Sequence, residues 1–331
     1  MKAIMLTRTG DPSVLDYVEV PTPRPRDGEV LVKADTIGVS RPELLVRSGT
    51  YPWMPTLPAI PGIEMTGTVV ERGRDADGLA VGQRVFVSAR ELPERAGCYA
   101  EYIAVPARAP FPLADGVHLE HAACLSNYQV AWHVLHTAAR PVPDGTAVID
   151  SAAGGTGSAL VQLAKLAGMR VIAIAGGRRK VEVLRAFGAD HAIDHTHEDV
   201  PARVSEITAG RGADLVLDGV GGQGFAQKFP MLAPFGLIVS YGRLQGAPQS
   251  ELLGTLATTY FGVSPAVRFF TMHTLDEMPA LRAASMADLI DKLRGGAIRP
   301  LIHGRLHLSE ARKAHELIEA RQVIGKLLLK P

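Results

Sequence analysis

TAVIDSAAGGTGSALVQLAKLAG (146–168) is the stretch on which the reading of this chain turns. A short apolar, β-compatible run, TAVID (146–150), passes through a glycine-rich loop, SAAGGTG (151–157), into an apolar helical pattern, SALVQLAKLAG (158–168). Strand, glycine loop and helix in that order form the context in which a dinucleotide pyrophosphate is held. Gly154 lets the backbone approach an anion, Gly157 lets the helix pack close to the strand, and the helix N-terminus presents unpaired N–H groups. Ala153, Gly154, Gly155, Thr156 and Gly157 are therefore the expected pyrophosphate contacts. Ala152 stands where the usual pattern has its first glycine, and an ordinary tight βα turn is the other reading of the same residues.

Outward from this loop, RVIAIA (170–175), HAID (191–194), DLVLD (214–218) and LIVSYG (237–242) alternate with helical patterns at 156–167, 179–187, 199–209 and 223–232. Apolar strands separated by helices predict a parallel sheet covered on both faces, a doubly wound Rossmann domain of the α/β class. The first third differs. EVLVKA (29–34), GTVVE (67–71), RVFVS (84–88) and YAEYIAV (99–105) are strand-like runs between Pro/Gly turns, and PTPRPRDG (21–28) must be an extended connection because proline lacks the ladder donor. A helix-compatible segment spans 119–140, with a boundary near 125. Beyond about 268 the pattern loosens, and helices at 286–294 and 309–320 precede a last strand, KLLL (326–329).

Composition narrows the function classes. The 331 residues contain 47% hydrophobic and 21% charged residues, enough for a sizeable core and about two domains. Lys+Arg of 35 against Asp+Glu of 34 leave a formal charge of +1, without the basic excess of a nucleic-acid binder. Two cysteines, Cys98 and Cys124, build neither a disulfide framework nor a cysteine zinc site, and suit a reducing cytoplasm. The N-terminus shows no leader pattern and no stretch reaches the ~18 apolar residues of a membrane span, so a cytoplasmic, unprocessed protein is expected.

The end of the second strand selects the cofactor. An NAD site places an acid about 20 residues past the loop to bond the ribose 2′-hydroxyl. Here Ala175-Gly176-Gly177 runs into Arg178-Arg179-Lys180, three cations and no carboxylate, which favours NADPH and its 2′-phosphate. Spacing alone leaves open which cation binds, and a solvated helical face is the bland alternative.

Taken together, GEVLVKADTIGVS (28–40), RSGTYP (47–52), LPAIPGIEMTGTVVERG (57–73), VGQRVF (81–86), GCYAEYIAVPA (97–107), SAAGGTG (151–157) and GADLVLDGVGG (212–222) resemble the zinc-independent medium-chain dehydrogenase/reductases, in the quinone oxidoreductase and enoyl reductase branch. The resemblance implies a GroES-like β-rich catalytic domain of 1–125 with 268–331, and a Rossmann NADP-binding domain of 126–267. It also implies a homodimer joined by edge strands of the cofactor domain, with 230–268 as the interface. Where zinc-dependent relatives have metal ligands this chain has Ser40, Ile63-Glu64 and Ser126-Asn127, and the cysteine-rich lobe is shortened to ARELPERAGCYAEY (89–102), so no metal is expected. Without a Lewis acid, hydride addition to a quinone or an activated C=C is easier than carbonyl reduction.

By the same resemblance Tyr51, in Gly-x-Tyr-Pro, faces substrate as a proton or hydrogen-bond donor, and packing is the other reading. Ser40 and Glu43 replace the Asn and Asp of many relatives, which leaves Ser40 as a rearranged member of the substrate's polar set. His195 is implied over the 2′-phosphate, with a surface histidine as the other reading, and Lys326 near the pyrophosphate, while Tyr241-Gly242, at the end of the last parallel strand, is expected to border the nicotinamide at the sheet's carboxyl edge. The implied function is an NADPH-dependent reductase of a quinone, an enone or an enoyl thioester. A nucleotide-binding structural or regulatory protein is the other class.

Overall fold

A computed structural model describes residues 1–248 and 252–331. The chain divides into two compact units, Met1–Ser126 with Asp288–Pro331, and Asn127–Ala287.

The first unit opens with an antiparallel ribbon of β1 (Lys2–Leu6) and β2 (Leu15–Glu19). The proline-rich connection then leads into β3 (Glu29–Val39), and α1 (Arg41–Ser48) follows directly. Strands β4 (Glu64–Arg72), β5 (Arg84–Ser88), β6 (Tyr102–Pro106) and β7 (Phe111–Pro112) complete the segment. The single helical run expected over 119–140 is divided into α2 (Leu119–Ala122), α3 (Leu125–His133) and a π-helical turn, Val134–Ala139, which ends at Arg140 with φ +74°.

The second unit is built on β8 (Thr146–Ile149), β9 (Arg170–Ala175), β10 (His191–Asp194), β11 (Ala213–Asp218), β12 (Leu232–Ser240) and β13 (Ala266–Phe269). They form one parallel sheet in the order β10-β9-β8-β11-β12-β13. The chain winds outward from β8 in one direction and from β11 in the other, so the crevice for a ligand opens at the carboxyl ends of these two neighbours. Helices α4 (Gly155–Leu166), α5 (Arg178–Ala186) and α6 (Val200–Ile207) follow β8, β9 and β10, whereas Gln223–Met231, with Pro230 inside it, takes the tighter 3₁₀ form. Val148, Ile172, Ile174, Ile193, Val216 and Ile238 fill the core.

After α7 (Leu252–Thr258) and β13 comes α8 (Pro279–Arg294), within which the chain leaves this unit. The return therefore starts at Asp288, twenty residues beyond the expected 268. Two bonds explain the shift. Gln129 Nε2 donates to Arg282 O (2.9 Å), and His133 Nε2 meets Ser285 Oγ (3.0 Å), which ties the start of α8 to the second unit. The return supplies β14 (Ile302–His307), α9 (Ala311–Glu319) and β15 (Lys326–Lys330), and the first unit's sheet runs β14-β15-β3-β4-β5-β7 with β6 also on β3. Leu327 lies opposite Val39, which sets Lys326 beside the start of α1. No helix among the described residues is long and apolar enough to cross a membrane.

Candidate functional site

The glycine loop leaves β8 through Ser151, whose φ is +53°, and α4 begins after Gly154, its N-cap. An added Cβ at Gly157 would meet Ser151 O at 2.3 Å and the Ala152 Cα at 2.7 Å, so glycine is required for the close strand-to-helix approach. Gly154 behaves differently. Its backbone is extended (φ −81°, ψ 173°), and an added Cβ would come no nearer than 3.5 Å to Ser151 O. Nothing among the described residues demands glycine there, so the missing side chain leaves a cradle for a group from outside, which fits a pyrophosphate at a helix N-terminus. Thr156 Oγ1 accepts from Asn127 Nδ2 at 3.1 Å, and Ala153 is buried beneath the loop.

At the end of β9 the structure brings Gly176, Gly177 and His195 together. His195 N donates to Ala175 O (3.1 Å), and a Cβ on Gly176 would stand 2.8 Å from His195 Nε2. Gly177, with φ +91°, caps α5, whose first turn holds Arg178, Arg179 and Lys180. Arg178 is 91% exposed and paired with Glu182 at 2.7 Å. One group here was missed by sequence reasoning. Asp194 arrives from β10 and accepts from Gly177 N (2.8 Å), Thr196 N (3.0 Å) and Thr196 Oγ1 (2.6 Å). The Thr196 hydroxyl and the Gly177 N–H hold its carboxyl well below the usual range. The site has a carboxylate after all, turned toward backbone donors, and only the strand pairing of β9 with β10 reveals it.

At the carboxyl ends of β11 and β12, Tyr241 N donates to Asp218 O (2.9 Å) and the Tyr241 phenol packs on Gly219. A Cβ on Gly242 would meet Gly219 O at 2.4 Å, so Tyr241-Gly242 lies directly against the turn after β11. Burial, then the nearby Asp218 and Asp150, push the Tyr241 phenol upward, and it remains neutral.

In the first unit, Ser40, Glu64 and Ser126 meet, as the three substituted positions would require, but around a cation of the chain itself. Lys326 Nζ bonds both Ser40 Oγ and Glu64 Oε1, and Ser126 N donates to Glu64 Oε2 at 3.0 Å. The Lys326 and Glu64 side chains are 3% and 0% exposed. Lys326 and Ser40 are thus engaged in a buried cluster. Glu43 closes that cluster by accepting from Ser40 N and Ile63 N, each at 3.2 Å. Its burial, with Glu64 adding and Lys326 opposing, pushes the Glu43 carboxyl up to about 8. Tyr51 follows α1 past Gly49 (φ +75°), is half-buried, and packs edge-on against Trp53 at 5.7 Å. Cys98 and Cys124 are buried free thiols, raised by burial.

Residues 26–115 match the family model described as alcohol dehydrogenase GroES-like domain, and residues 155–278 the model described as zinc-binding dehydrogenase. A quinone oxidoreductase from Pseudomonas aeruginosa is 31% identical over 333 residues, covering 100% of this chain and 99% of that protein. This chain belongs to the medium-chain dehydrogenase/reductase family, in its quinone oxidoreductase branch. Among solved structures, Escherichia coli quinone oxidoreductase complexed with NADPH superposes with a TM-score of 0.90 at 27% identity over 100% of both chains. Mycobacterial Rv1454c complexed with NADPH reaches 0.88 at 32% identity, again over 100% of both chains. The GroES-like plus Rossmann architecture of the family is the one described above.

Proposed function

We propose that this medium-chain dehydrogenase/reductase is an NADPH-dependent, zinc-free quinone reductase. The observation that carries the reading is the cradle at Gly154, at the crevice of a doubly wound sheet, in a chain matched end to end by quinone oxidoreductases. When bound, NADPH supplies the hydride. The chain's own residues do the rest. The loop from Ala153 to Gly157 and the first turn of α4 hold the pyrophosphate, and the cations of α5 with His195 hold the 2′-phosphate. Three cations in the first turn of a helix oppose its macrodipole, an arrangement that an anion bound there relieves.

The first unit supports zinc-free chemistry by the nature of its donor set. Glu64 is already neutralised by the Lys326 ammonium, and Ser40 and Ser126 bring neither thiolate nor imidazole. Charge that develops on a substrate oxygen must then be met by a hydrogen bond, and Tyr51 is the donor we assign to it. Ser40 acts within the Glu64–Lys326 cluster. A quinone suits this equipment because the added charge delocalises onto an oxygen within reach of one donor.

Following NADPH absorbance in chelator-washed protein, with a quinone and an enoyl thioester offered separately, tests the assignment. Turnover with the quinone is expected. Turnover with the thioester alone would transfer the protein to the enoyl reductases, and turnover only after zinc is restored would contradict the zinc-free reading.

A homodimer and a cytoplasmic location complete the proposal. β13 is the edge of the parallel sheet, and Phe261 and Phe269 near it are 77% and 60% exposed, a large apolar display for a sheet edge. Of the expected interface 230–268, residues 249–251 lie outside the described residues. Light scattering should give about twice 35.3 kDa, and a monomeric mass at working concentration would count against the dimer.

A further inference from the structure

We propose that Lys228 is a positioning residue for cofactor binding: its buried ammonium clamps Asp150 to Asp218 and thereby fixes the two backbone turns at the carboxyl ends of β8 and β11. The proposal rests on the reading that the glycine loop holds NADPH.

Lys228 lies in the 3₁₀ segment Gln223–Met231, and its side chain is 8% exposed. Its ammonium bonds Asp150 and stands 3.3 Å from Asp218 Oδ1. Each carboxylate holds a different turn. Asp150 Oδ1 accepts from Ser151 N at 2.7 Å, and Ser151 is the residue in the left-handed conformation through which the glycine loop starts. Asp218, fully buried, accepts from Val220 N (3.0 Å), Gly221 N (3.1 Å) and Ser240 Oγ (2.9 Å), which pins the turn that Tyr241-Gly242 packs against. Burial pulls the Lys228 ammonium toward neutrality, but Asp150 and Asp218 outweigh it and keep it charged. Among the described residues the charged groups that meet it are those two carboxylates, and the Tyr241 phenol beside them is kept neutral by burial.

Two carboxylates at adjacent strand ends repel in a low-dielectric setting, and leaving them without their cation is costly. The accessible relaxation is rotation of Asp150, the more exposed of the two at 14% against 0% for Asp218, toward water. Rotation would release the Ser151 N–H. Lys228 thus couples the loop that carries phosphates to the turn that borders the nicotinamide, without touching the cofactor.

The test measures NADPH affinity by fluorescence titration, alongside the thermal midpoint, in Lys228→Met, Lys228→Arg and the loop control Gly154→Val. Lys228→Met should weaken NADPH about tenfold or more at pH 8, the loss of roughly one charge-assisted contact. Lys228→Arg should recover most of the affinity. A lowered thermal midpoint with unchanged affinity in Lys228→Met, while Gly154→Val loses NADPH, would overturn the proposal and leave the loop reading standing. Unchanged affinity in Gly154→Val would overturn the loop reading itself. Should Lys228→Met not fold, Asp150→Asn tests the same link from the loop side: a severalfold weaker NADPH complex is expected, and unchanged affinity would overturn the clamp.

Discussion

Gly154 and Gly157 are both glycines of one loop, yet the structure separates their reasons. At Gly157 a side chain would strike the chain's own backbone; at Gly154 it would meet only open space and an ordinary contact with Ser151 O. Gly157 serves the fold, and in the proposal Gly154 serves a ligand. Gly154→Val should therefore abolish NADPH binding while costing α4 no more than about 1 kcal/mol as a poorer N-cap. Titration beside a thermal melt would check this, and a variant that binds NADPH normally would refute it. Both glycines were legible in the sequence because the motif places them. The partners of Lys326, Lys228 and Asp194 were not, since each is set by chain segments many residues away. A lysine 2% exposed and a lysine in water look alike in a string of letters.

Elements were legible in proportion to their burial. Strands β8, β9 and β11 are covered on both faces and read as apolar runs, so their ends fell within a residue or two of expectation. β13 was missed because Ala266–Phe269 is a short, largely exposed edge strand with no such run. α5 was legible as a helix and its cations as a charge cluster, but the pairing of Arg178 with Glu182 was not. α1 carries a prediction of its own, through Glu43 at its start. The Glu43 carboxyl stands above its unfolded value of 4.5, at about 8, so the native state holds a proton that the unfolded chain gives up between those values. Its stabilising contribution is complete below pH 4.5 and is lost as pH rises through 8. Glu43→Gln fixes the neutral form, so urea midpoints should show the variant gaining on the wild type between pH 6 and pH 9. A constant difference across that range would show that Glu43 is ionised throughout.

On the scale of the whole molecule, the alternation of strands and helices announced the Rossmann unit, and the structure moved only its far boundary, from 268 to 288. The β-rich unit was legible as strands but not as a sheet, because its order interleaves β15 from the C-terminal return beside β3. That insertion is what sets the Lys326 ammonium against Glu64 and gives the first unit an internal cation. In the proposed function the second unit is built for the 2′-phosphate of NADPH and supports quinone reduction. The ratio of kcat/KM for NADPH to that for NADH, with a quinone as acceptor, decides this. One charge-assisted contact to the 2′-phosphate, roughly 1.5 to 3 kcal/mol, predicts a preference for NADPH of about 10- to 150-fold. Equal efficiency with the two cofactors would contradict it.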